Sequence, residues 1–376
     1  MTDDPLALHE VRQIAAIGLS ERKVGVPPER WPLVLRKLSN ERLTGLAVAG
    51  LAMGRLSLEP EQIDELLDRH RSAMVLALTI EQRLLVLSAA FEGAGVRAIV
   101  IKGPAVAHRA YPDPSMRSFG DLDLMVSTRD WQPACDLLVA RGYQRGLPEP
   151  RRRFDVRFGK AATHSDAEGY QVDLHRTLVL GPFGLWLDPD ELLANTERFV
   201  LAGRQLERLD TTAMLLNAAL HAGLGTARPL LLPLRDVAQL AWDPAVDWDR
   251  FAAWTVRWRL GTALRHAFDC TTRDLGVDLP PVARRIGAIG AGRAERRAIL
   301  AYTDRRPAGG VALATIPAIR GVRGKSAYLF GLLFPSRAFL RARAGGRADA
   351  SYLSRWRVPL RWVTAARVKR PLKPRG

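Results

Sequence analysis

Cysteine is almost missing from this chain. Cys135 and Cys270 are the only two in 376 residues, too few for a disulfide framework or a cysteine-rich zinc site. A reducing cytoplasm is the expected compartment. Lysine is scarce as well: seven of the 56 basic residues are Lys and the rest are Arg, a bias that fits a GC-rich genome better than a selected binding surface. Long apolar runs are absent too. The best stretch, LVLGPFGLWL at 178–187, is short and holds Gly and Pro, so no membrane span is expected. MTDDPLALHE at the start is acidic and polar where an export signal needs a basic and then an apolar run.

An apolar fraction of 47% and a charged fraction of 25% are ordinary for a globular protein. The length implies more than one structural unit. The net charge of +17 is concentrated. From Arg320 to the end, 15 basic residues face one acid, a net of +14, which leaves +3 for the first 319 residues. The basic tail has three readings: a solvated or packed extension, a surface for an anionic partner, or an RNA contact. No nucleic-acid motif accompanies it, so nucleic acid is not the expected partner.

Residues 5–95 carry apolar residues at three- and four-residue spacing and read as helices, the last ending at Gly93 or Gly95. The pattern then changes. VRAIVI (96–101) reads as a strand, KGPAVAHRAY as a tight turn into a helix, and GDLDLMV (120–126) as a second strand. A helix follows, RDWQPACDLLVARG, and then a polar hairpin or loop, RRRFDVRFGKAATHSD. GYQVDLHRTLV (169–179) begins as a third strand with Gln171, Asp173 and His175 on one face. Helical periodicity returns from Thr211, and PAGGVALATIPAIRGVRGK (307–325) has the Gly and Pro content of a linker. The units expected are a helical region (1–95), a core (96–205), a helical domain (206–306), and a linker with the basic tail (307–376).

The chemistry centres on Asp121 and Asp123. Two residues apart on a strand, they share a face, and two adjacent carboxylates repel unless a cation neutralises them. Mg²⁺ suits oxygen ligands and substrate phosphates, and Asp173 is the best supplier of a third carboxylate. Lys102 and Gly103, at a strand end turning into a helix, offer a point charge and a close backbone approach to a polyphosphate. Arg117 is a second phosphate-ligand candidate. Each has a plainer alternative: Lys102 as a surface lysine, Arg117 as a loop clamp on Asp113 or Asp121, and His175 as a structural histidine. For His221 the alternative is a core histidine bonded to the next helix at Asp236, and for the Trp-rich helix at 242–258 it is simple packing.

IKG (101–103), YPDP (111–114), Arg117, DLDLMV (121–126), Asp173-Leu174-His175, LLNAALHAG (215–223) and Arg235-Asp236 occur in an order that resembles the bacterial uncharacterised nucleotidyltransferases of the polymerase β-like superfamily. A Phe-Pro-Ser element at 334–336 extends the likeness. The resemblance implies an α+β fold: a small mixed sheet of the minimal nucleotidyltransferase type, with a helical N-terminal segment and a C-terminal helical bundle. It implies Asp121, Asp123 and Asp173 as ligands of two Mg²⁺ ions and as the catalytic carboxylates, Asp173 activating the attacking hydroxyl. Lys102, Gly103 and Arg117 become the nucleotide contacts. The implied reaction moves an NMP from an NTP such as ATP to a hydroxyl of a small molecule, sugar or peptide, in polysaccharide or natural-product biosynthesis. Phosphoryl transfer on the same site and a non-catalytic nucleotide-binding adaptor are the alternatives. Two features depart from the wider superfamily: Pro104 follows Gly103, and HRAYPDPSMRSFG lengthens the path to Asp121.

Overall fold

A computed structural model describes residues 5–226, 229–303 and 309–343. The part of the basic tail from 344 to 376 lies outside the described residues.

The N-terminal helical expectation holds in α1 (Pro5–Ala15), α2 (Trp31–Asn40), α3 (Thr44–Ala52) and α4 (Pro60–Gly93), joined by the two-residue parallel pair β1 (Val24–Gly25) and β2 (Leu56–Ser57). The 34-residue α4 starts cleanly because Pro60 occupies its first turn and Glu59 and Gln62 cap each other's backbone. It buries Leu66, Ala77, Ile80, Leu84, Leu87 and Phe91, a three- and four-residue stripe. By length and composition α4 is the one described helix able to cross a membrane, and a third of its most apolar stretch is buried inside the fold.

The sheet is mixed, as expected, but larger than its three legible strands. Its order is β5 (Gln144–Arg145), β6 (Ala161–Ser165), β7 (Gln171–His175), β4 (Leu122–Val126), β3 (Ala98–Val100), β9 (Arg204–Leu209), β8 (Thr196–Leu201). Strand β4 runs parallel to β7, and β3 to β9, while the other pairs are antiparallel. All five residues of β4 are buried. A central strand covered on both faces explains why LDLMV reads as a continuous apolar run interrupted only by Asp123. The β8–β9 hairpin continues the sheet past residue 205, where the sequence placed the start of the helical domain. Its two-residue turn has positive φ at both Ala202 (46°) and Gly203 (80°), the twist that tight hairpins require.

The loops around the sheet carry α5 (Pro104–Ala110), α6 (Trp131–Ala140), α7 (Phe154–Phe158), α8 (Pro182–Trp186) and α9 (Pro189–Ala194). The helical domain is α10 (Thr211–Leu224), α11 (Leu231–Ala241), α12 (Trp248–Arg257), α13 (Gly261–Leu275), α14 (Pro281–Gly287) and α15 (Arg293–Thr303). Within α10 every residue except His221 is buried. The stretch read as a linker is largely ordered structure. Its described part forms α16 (Gly309–Thr315), a 3-10 turn at Ile316–Ala318 and the start of α17 (Val322–Leu333), ahead of α18 (Arg337–Arg343). The reason is packing: Tyr328 and Ile319 bury against Phe158, and Tyr328 stacks on Phe154. Ser336, of the Phe-Pro-Ser element, donates its backbone N–H to the Pro150 carbonyl at 2.7 Å. One cluster of buried apolar residues runs from Val11 through Tyr302, joining the N-terminal helices, the sheet and the helical domain.

Candidate active site

Parallel pairing sets Asp123 directly opposite Asp173 across β4 and β7. Two register partners share a face, and His175, two residues after Asp173, returns to it. Asp123 is buried, and one of its oxygens, Oδ1, takes two partners. Lys102 Nζ donates to it at 2.9 Å and His175 Nε2 lies 2.8 Å away. Asp173 is half-buried and accepts the Thr163 hydroxyl at 2.5 Å from β6. One ligand atom each from Asp123, Asp173 and His175 all fall within 4.8 Å of one another.

The electrostatics follow from burial and partners. Burial pushes the Asp123 carboxyl up, but the Lys102 charge and the His175 hydrogen bond outweigh it and hold the group well below its ordinary value. Burial lowers His175 more than Asp123 raises it. His175 lies between two acceptors, Asp123 at Nε2 and the Thr177 carbonyl 3.3 Å from Nδ1, which fixes the ring and through it the orientation of Asp123.

Lys102 ends the turn from β3 into α5. Gly103 follows at φ 53°, ψ −115°, a conformation side-chain-bearing residues avoid. A Cβ there would meet only ordinary contacts at 3.5 Å or more, so the dihedral and not the space demands glycine. Pro104 takes the first position of α5, where its missing N–H costs nothing, so that departure fits the turn.

Asp121 is not in the cluster. It precedes β4 by one residue, so the two-residue alternation that was to align it with Asp123 does not reach it. Its carboxylate, about a third exposed, pairs with Arg42 of the loop before α3 at 3.2 Å. Arg117 is buried and pairs with neither Asp113 nor Asp121. Its Nε and Nη2 grip the two oxygens of Asp236 at 3.0 and 2.8 Å, and the Tyr111 hydroxyl donates to the same carboxylate at 2.8 Å. Burial works against the Arg117 charge, and Asp236 more than restores it. Asp236 is thereby unavailable to His221, whose imidazole is held well below its usual value by burial and by Lys102 and Lys160. Arg235 points the other way and donates Nη1 to the carbonyls of Ala15 at 2.9 Å and Ile17 at 2.6 Å, closing the end of α1.

Sequence reasoning missed Lys160 and Thr163. Lys160 enters β6 from the segment read as a hairpin or exposed loop, which the antiparallel β6–β7 pair shows to be in part a hairpin. Its ammonium is depressed by burial and by Lys102, against the pull of Asp123, Asp173 and Asp121. The available signal was rarity: in an arginine-rich chain, two of seven lysines stand here.

The donor set suits a divalent cation. Two carboxylates side by side on neighbouring strands offer hard oxygen ligands, with an imidazole fixing one of them.

A mixed sheet thus sets two carboxylates side by side, with Lys102 bonded to one of them from the turn that follows β3. Residues 27–276 match the model of the family described as uncharacterised nucleotidyltransferase, and the chain belongs to that family. A nucleotidyltransferase-like antigenic protein from Paracoccidioides brasiliensis is similar in structure at 13% identity, covering 56% of this chain and 94% of that one, with a TM-score of 0.28. No curated protein matches the chain.

Proposed function

We propose that the protein transfers an NMP from an NTP to a hydroxyl of a small molecule, sugar or peptide. The observation that carries this reading is the in-register pairing of Asp123 with Asp173 beside the Lys102–Gly103 turn. Asp123 and Asp173 would hold Mg²⁺, with Asp121 joining them once released from Arg42, and the bound cations would supply charge neutralisation around the α-phosphate. Lys102 and Lys160 hold the triphosphate oxygens, and Gly103 admits the chain of phosphates close to the backbone. Asp173 takes the acceptor hydroxyl's proton. The oxygen then bonds to the α-phosphorus, the bond to the β-phosphate breaks, and pyrophosphate leaves. His175 keeps Asp123 oriented throughout. Arg117 serves as a positioning residue for the loop ahead of Asp121. Two buried, unpaired cysteines suit work in the cytoplasm.

One observation favours a second reading, nucleotide binding without transfer: Lys102 already neutralises Asp123 within the chain. Thermal denaturation with each NTP, with and without Mg²⁺, separates the two on wild type and Asp173→Asn. Transfer predicts stabilisation that needs Mg²⁺ and falls at least tenfold in apparent affinity in Asp173→Asn. Stabilisation indifferent to both changes supports the adaptor, and flat curves for every NTP refute both.

A further inference from the structure

A second basic cavity lies apart from the carboxylate face. It has a volume of about 920 Å³ and is walled by the end of α7, the end of α8, the C-terminal turn of α12 and the 3-10 turn leading into α17. Four arginines line it, Arg157, Arg257, Arg259 and Arg320, against one acid, Asp188. That acid is committed elsewhere: its carboxylate caps α9, accepting the backbone N–H groups of Asp190 and Glu191 at 3.1 and 3.4 Å.

Several arginines elsewhere in the fold are answered by carboxylates, as Arg83 is by Asp166 and Glu168, Arg117 by Asp236 and Arg250 by Asp210, while others, such as Arg235 and Arg176, bond carbonyls. At this cavity only Arg257 is answered by a carboxylate, Glu191. Among the described residues Arg157, Arg259 and Arg320 pair with no carboxylate. Arg157 lies 4.9 Å from the Phe158 ring centroid, and Arg259 lies 5.6 Å from that of Trp186, which also lines the cavity. Arg259 is placed by the end of α12, as its left-handed closing residue at φ 55°, with the Leu260 N–H donating to the Thr255 carbonyl at 2.9 Å.

We propose that this cavity binds a phosphorylated, ring-bearing small molecule of nucleotide size. The volume falls within the range of small-molecule sites. Three unanswered guanidiniums present planar forks for at least two phosphate groups. Trp186, roofed by Arg259, gives a ring an aromatic neighbour. The site requires no metal and no carboxylate from the nucleotide face.

Isothermal titration of the full chain with inorganic pyrophosphate, in EDTA and at physiological ionic strength, tests the assignment. Wild type and Asp173→Asn should bind alike. Arg157→Ala/Arg259→Ala/Arg320→Ala should lose at least tenfold in affinity, and the corresponding triple Lys variant should recover part of it. If the triple Ala variant melts early, Arg320→Ala alone, at an exposed position, should still weaken binding severalfold. Absence of binding by wild type overturns the proposal. So does equal binding by the Arg variants, or loss of binding in Lys160→Ala, which would assign pyrophosphate to the nucleotide face. A failed nucleotide reading with intact Arg-dependent pyrophosphate binding leaves this cavity standing.

Discussion

Asp236 does more for the candidate site than its distance along the chain implies. It satisfies Arg117 and Tyr111 at once from α11, and all three side chains are buried. Removing one partner of such a pair strands a buried charge, whereas replacing both with apolar groups of similar size does not. Asp236→Ala should therefore cost about 3–5 kcal/mol in urea denaturation, and Arg117→Met/Asp236→Leu should recover most of it. If the double variant is no more stable than the single, the pair does not carry that load. Asp155 makes a pH-dependent case. Burial outweighs its ion pair with Arg145, and Glu149 adds to the effect, so its carboxyl is pushed up to about 6. Since the unfolded value is lower, near 3.9, ionised Asp155 costs stability at neutral pH. As pH falls from 7.5 through 6 toward 4, the folded state takes up the proton first. Wild type should then gain on Asp155→Asn by something on the order of 2 kcal/mol, read as a difference in urea midpoints. A difference independent of pH would refute the shift. At this scale the sequence made Asp123, Asp173 and Lys102 legible because strand alternation and a Gly turn are local signals. Asp121 was misaligned by one residue of strand boundary. The partner of Arg117 was invisible because it stands 119 residues away.

Among elements, the strands that carry candidate ligands were readable, and the β8–β9 hairpin was not. TERFVL and RQLERL place charges on both faces in a way that mimics an exposed helix, and the Ala202-Gly203 turn lacks the Asn or Asp that usually announces a tight hairpin. Ala202 sits at φ 46°, where a Cβ is penalised. Ala202→Gly should relieve it and raise stability by about 0.5–1 kcal/mol, seen as a rise in Tm. A fall would mean that the turn is not the one described. Similarly, GGVALAT looked like a linker because Gly and Pro flank it, yet tertiary contacts of Tyr328 and Ile319 fold the segment against α7. Composition cannot register a contact made by residues further along the chain.

For the whole molecule, the order of helices, sheet and helices was legible, and the continuity of the core was not. Periodicity marks which face of each helix is apolar without saying what covers it. The long α4 shows what that hides. Its first half holds Trp31 through Glu65 at 2.8 Å and the Val26 carbonyl through Gln62 at 3.3 Å. Further along, Arg83 reaches Asp166 at 2.8 Å and Glu168 at 2.7 Å and lies 3.7 Å from the Tyr170 ring centroid, on the bend that leads into β7. A 34-residue helix is about 50 Å long, and it behaves as a strut with the N-terminal helices bolted at one end and the Asp173 strand toward the other. The turn that leads into the Asp173 strand is thus tied from outside the sheet, by a part of the chain that contributes neither carboxylate.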